Sequence, residues 1–106
     1  MERFQYAVSL APAEEGGFVV TCRDLPQLVT QGEDLENALA EAADAMDEVL
    51  AAYMQGGLTL PAPSKVHKGE HVASPPAETM AKAALYVAMK DAGISKVQLD
   101  QALRHR

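Results

Sequence analysis

Tryptophan is absent from the chain, and two Phe and three Tyr are its only aromatic residues. A core must therefore rest on Leu, Val, Ala and Met. The single cysteine, Cys22, excludes an internal disulfide, has no ligand-spaced partner for a cysteine-based zinc site, and suits a reducing compartment. Glycine-rich phosphate loops are missing, since "GG" occurs only as isolated turn pairs. Nowhere do 18 apolar residues stand together, and no basic stretch leads into an N-terminal apolar one. The expectation is a cytoplasmic protein with no cofactor, no bound metal and no membrane partner.

Basic residues are scarce where acidic ones are dense. Residues 1–62 carry eleven acids against two bases, Arg3 and Arg23, a balance of −9. Residues 63–106 carry four acids against seven bases, a balance of +3, and the two together give the net charge of −6. Such a division points to two different partners, because charge steers association without dictating a fold.

At 106 residues and 48% apolar content, the chain can form one small core with a short appended module. Phe4, Tyr6, Val8 and Leu10 alternate with Gln5, Ala7 and Ser9, the period of a half-buried strand that ends near Pro12. "EEGG" supplies a turn, and Phe18, Val20 and Cys22 alternate with Val19, Thr21 and Arg23 in a returning strand. "DLP" breaks that strand, and a third runs from Gln27 to Gln31.

A helix is expected from Asp34 to about Tyr53. Leu35, Ala38, Leu39, Ala42, Met46, Val49, Leu50 and Tyr53 recur at three- and four-residue steps as one apolar stripe. Asp34 is the expected N-cap, and Gly56 with Gly57 the expected stop. Residues 58–69 have linker composition, and "EHVAS" is a candidate fourth strand. Pro75-Pro76 opens a helix over roughly 77–91, closed by Gly93. Ser95 with Gln98 makes a capping box and Ile94 can staple onto Leu99, so a last helix is expected from Lys96 to near Leu103.

The first helix holds Asp34, Glu36, Glu41, Asp44, Asp47 and Glu48 and no Lys or Arg. Asp44 and Glu48 lie at i,i+4, where like charges are unfavourable by a few tenths of a kcal/mol. Solubility alone is one explanation; a surface for a cationic partner is the other. Asp24 at a strand end with Asp44, Asp47 or Glu48 can in principle gather round Mg²⁺, which is the alternative reading of a metal-dependent nuclease or its remnant. His67 and His71 are four apart in a proline-flanked stretch, and are expected to be solvated.

The order "FQYAVSLAPAEEGGFVVTCRDLPQLVTQGEDLENALAEAADAM" followed by "LPAPS" resembles the HicB family of antitoxins from bacterial toxin–antitoxin pairs. The resemblance covers about residues 3–64. It implies an α+β fold with a partial RNase H-like β-β-β-α-β domain that is not an enzyme. It also implies a partner, a small basic HicA-type mRNA-cleaving toxin with a double-stranded-RNA-binding-domain fold, whose active site such antitoxins cover. An acidic face can stand in for the phosphate charge that a basic ribonuclease meets.

"MAKAALYVAMKDAGISKVQLDQAL" resembles the start of the helix-turn-helix that one branch of this family carries for repression of its own operon. The sequence departs from that pattern at Asp100, where a small residue is usual, and at Arg104, where a turn glycine is expected. The helix-turn-helix is therefore expected to be incomplete, stopping at Arg106 short of its recognition helix. A ribbon-helix-helix built on "EHVAS" is the second possibility.

Together these readings place toxin neutralisation in residues 1–74, with contacts at Asp24, Glu41, Asp44, Asp47 and Glu48. Residues 76–106 are expected to form a homodimer or higher homo-oligomer and to hold operator DNA through Lys96, Gln98, Arg104 and Arg106. A dimeric α+β module for an unrelated cationic ligand is the third reading.

Overall fold

The computed structural model describes residues 4–93 and residue 101. Strand β1 (Tyr6–Pro12) pairs antiparallel with β2 (Phe18–Cys22) in the register Val8↔Cys22 to Pro12↔Phe18. The connecting turn closes with Ala13 N–H donating to the Gly17 carbonyl at 3.0 Å. Gly16 and Gly17 take φ of +99° and +74° there, a conformation that side chains disfavour. Strand β3 (Val29–Gly32) pairs with β2, and β4 (His71–Ala73) pairs with the other edge of β1. The sheet order is β3-β2-β1-β4 with every pairing antiparallel.

Alternation places Tyr6, Val8, Val20, Cys22 and Ala73 on one face of this sheet, all buried. Helix α1 (Leu35–Gln55) covers that face with Ala38, Ala42, Met46 and Leu50, one residue every fourth position. Its start is capped reciprocally: Asn37 N–H donates to Asp34 Oδ1 at 2.8 Å, and Glu33 N–H donates to Asn37 Oδ1 at 2.8 Å. Helix α2 (Ala77–Asp91) adds Ala83 and Tyr86 to the same core.

Three expectations need correction. The first strand ends at Pro12 as expected but starts at Tyr6, with buried Phe4 outside it; the third starts only at Val29, because Leu25 and Leu28 are drawn into the core by a turn in which Leu28 N–H donates to the Leu25 carbonyl at 2.9 Å. Leu35 leaves the apolar stripe and is 44% exposed. It belongs to the first helical turn, one turn before α1 closes on β3, where a Cβ on Gly32 would lie 2.4 Å from the Ala38 backbone. Residues 58–69 are not a loose linker. Tyr6 OH donates to the Pro61 carbonyl at 2.7 Å, Tyr86 OH to the Leu58 carbonyl at 2.8 Å, and Leu60 is buried. The final helix, its capping box and its staple lie outside the described residues. Among the described residues no helix is long and apolar enough to cross a membrane.

Candidate functional site

The acids of α1 differ in whether another element of the chain engages them. Glu41, Asp44 and Glu48 stand at i, i+3 and i+7, which at 3.6 residues per turn spreads them over only about 60°. Asp44 and Glu48 are exposed and Glu41 is partly so. Among the described residues no ion pair involves any of the three. Asp47, also exposed, stands about 60° beyond Asp44 at the edge of this group nearest α2, where it accepts a hydrogen bond from the hydroxyl of buried Thr79.

Asp24 has a different setting. Its carboxylate accepts the Ser64 N–H at 2.8 Å and the Ser64 hydroxyl at 2.9 Å. Arg23 completes the clasp: its Nη2 donates to Ser64 Oγ at 2.9 Å and to the Lys65 carbonyl at 2.6 Å, and its Nη1 pairs with Glu70. Glu70 in turn accepts the His67 N–H at 2.7 Å. The guanidinium hydrogen bond holds the Glu70 carboxyl below its ordinary range, with the His67 amide adding to the effect. Ala7, on the sheet face away from the core, has no exposure; Arg23 follows Cys22 in the register and therefore stands beside it.

The constellation needed for metal-dependent cleavage does not assemble. Asp24 is committed to Ser64, and among the described residues no group of three or more His, Cys, Asp or Glu gathers around a common point. His67 is exposed, as expected, with its Nδ1 3.4 Å from Arg23 Nη1, whereas His71 is paired in β4 and half-buried. Cys22 is buried, which pushes its thiol up.

Beside Glu48 the acidic stripe meets an apolar notch of about 270 Å³ lined by Gln27, Glu48, Val49, Ala52, Tyr53 and Leu58. Gln27 Nε2 lies 2.9 Å from Tyr53 OH and fixes that ring. Neither the notch nor the clasp was apparent in the sequence patterns. One signal for the clasp was present: Arg23 is the only base between residues 4 and 62. Lys96, Gln98, Arg104 and Arg106, the candidate DNA contacts, lie outside the described residues.

Comparison with known proteins points the same way as the sequence motifs. Residues 5–84 match the family described as HicB-like antitoxin of bacterial toxin-antitoxin system. The chain is 32% identical over 95 residues to Antitoxin HicB of Escherichia coli strain K12, covering 90% of this chain and 69% of that protein. It is 30% identical over 99 residues to Antitoxin HicB 1 of Photorhabdus laumondii, covering 93% of this chain and 63% of that protein. To Antitoxin HicB of Pseudomonas fluorescens strain Pf0-1 it is 31% identical over 101 residues, with 94% and 68% covered.

Proposed function

This chain belongs to the HicB-like family of antitoxins from bacterial toxin–antitoxin systems, and we propose that it neutralises a small basic HicA-type ribonuclease by covering its active site. The observation that carries this reading is the one-signed stripe of Glu41, Asp44 and Glu48, which no cation of the described chain answers. An acidic stripe of this kind attracts the surface with which a ribonuclease meets RNA phosphates, and it raises the association rate as well as excluding wrong partners. Asp24 and Asp47 serve the fold first, through Ser64 and Thr79.

The β-β-β-α-β order of residues 6–73 supports a partial RNase H-like fold for the neutralising part, residues 1–74. Residues 76–106, with their excess of bases and their resemblance to the opening of a helix-turn-helix, are assigned to homodimerisation and to operator binding in the cytoplasm. Lys96, Gln98, Arg104 and Arg106 are the DNA contacts in this reading.

Two assays test the two halves. RNA cleavage by a HicA-type toxin from the same genome should fall in proportion to added antitoxin; undiminished cleavage at molar excess contradicts neutralisation. DNA from upstream of the operon should be retarded by the chain, alone or with toxin, in a salt-sensitive way. No retardation in either state removes the repression half.

A further inference from the structure

Charge alone leaves the affinity of this interface unexplained. Solvent-exposed carboxylates contribute little binding energy each, and they act chiefly on encounter rate and partner choice. Tight interfaces are held by a few large side chains seated in preformed pockets. The notch beside Glu48 has the features of such a pocket.

Its walls are rigid for local reasons. Helix α1 ends in a complete Schellman turn: Gly57 N–H donates to the Met54 carbonyl at 3.1 Å, and Leu58 N–H donates to the Tyr53 carbonyl at 3.0 Å. Gly57 has φ of +70°, as that turn requires. The turn carries Leu58 back beside Tyr53. From the other side, α2 grips Gly57 and Leu58, with Tyr86 OH on the Leu58 carbonyl and Lys90 Nζ on the Gly57 carbonyl at 2.7 Å. Gln27 holds the Tyr53 hydroxyl. A capping leucine would ordinarily be covered by its own helix, yet Leu58 is 56% exposed. Val49 and Tyr53 are only half-buried.

We propose that this notch is the anchor point of the toxin interface: it receives one large apolar side chain from a basic protein surface, with a Lys or Arg beside it on Glu48 and Asp44. The proposal rests on the antitoxin reading above and specifies its partner's contact chemistry. The charge pattern selects the occupant. The notch opens at the end of the acidic stripe, so an apolar knob set among cations satisfies both features at once. A second copy of this chain, with a net charge of −6, would bring acids against acids across the same opening. Because the walls are held by hydrogen bonds before the partner arrives, little ordering is needed on binding.

Calorimetric titration of the full chain with a catalytically inactive HicA-type toxin tests this, using Leu58→Ser and Ala52→Gln, with Glu36→Gln on the far side of α1 as control. Ala52 is an exposed helical position, and Gln preserves helix propensity, so that variant narrows the notch without unfolding the chain. Each notch variant should raise Kd by about tenfold or more, the effect expected at an anchor pocket. Tm and the salt dependence of binding should stay unchanged, and Glu36→Gln should bind as wild type. Binding of both notch variants within twofold of wild type overturns the proposal while leaving the antitoxin reading intact. Absence of binding by the wild-type chain overturns the antitoxin reading itself. A shift in sedimentation of the free chain on Ala52→Gln, with Kd for toxin unchanged, assigns the notch to a second copy and also overturns the proposal.

Discussion

Asp47 on α1 accepts a hydrogen bond from the hydroxyl of Thr79 on α2, whereas Glu48, the next residue, stands on the rim of an apolar notch. Two adjacent exposed carboxylates thus serve different ends: one joins helices, the other borders the notch. Asp47→Ala leaves the buried Thr79 hydroxyl without its acceptor and should lower stability by about 1–2 kcal/mol. Combining it with Thr79→Val should recover most of that loss, and chemical denaturation of the double-mutant cycle measures it. Toxin affinity should be unmoved by either change.

The clasp around Arg23 makes a second prediction. Ser64→Ala removes the hydroxyl between Arg23 and Asp24 and should cost about 1 kcal/mol, with faster proteolytic cutting between residues 62 and 70. Glu70 is held below its ordinary value of 4.5, so its contribution is complete above that pH and is lost as pH falls through the folded-state value. The stability difference between wild type and Glu70→Gln should therefore be visible at pH 7 and shrink as pH is lowered below 4.5, as urea denaturation across that range will show.

At the alkaline end the sign is opposite. Burial pushes the Tyr6 hydroxyl from 10.0 up to about 12, so the neutral form is favoured by folding. Its contribution is full below pH 10 and is lost as pH rises from there towards 12. Tyr6→Phe gives up the bond to the Pro61 carbonyl and should be about 1 kcal/mol less stable at pH 7. Its stability should also fall less steeply above pH 10 than that of wild type, measured by denaturation across that range.

Close approach of α1 to β3 depends on Gly32. A Cβ there would sit 2.4 Å from Ala38 N and Cα, contacts that are backbone and have nowhere to move. Gly32→Ala should cost about 3 kcal/mol or more by forcing the helix off the sheet. Gly57→Ala meets nothing within 4 Å and should cost only the strain of a left-handed backbone, about 1–2 kcal/mol. Thermal denaturation of the two variants separates the mechanisms.

Periodicity exposed those parts of the molecule whose neighbours lie close in sequence. The hairpin, the cap at Asp34, the buried stripe of Ala38, Ala42, Met46 and Leu50, and the short strand at His71–Ala73 were all legible in this way. The acids of α1 could be counted in the sequence, but which of them stand free of a partner within the chain could not. What stayed hidden depends on partners far along the chain. Asp24 looks free until Ser64, forty residues on, takes its carboxylate. Asp47 looks like part of the acidic face until Thr79 claims it. The notch arises where a helix-ending turn, the segment before β3 and α2 meet, and no repeat in the sequence marks that meeting. The family resemblance supplied what no pattern here does, the identity of the partner's class.

The most direct test of the account is calorimetric titration of an inactive HicA-type toxin into wild-type chain and into the charge-reversed variant Asp44→Lys with Glu48→Lys. Neither residue has an ion-pair partner among the described residues, so the fold should survive the change. The account predicts tight wild-type binding that weakens as salt rises, and a loss of about a hundredfold or more in the variant at low salt. Wild-type binding that is absent, or that charge reversal leaves unchanged, would contradict it.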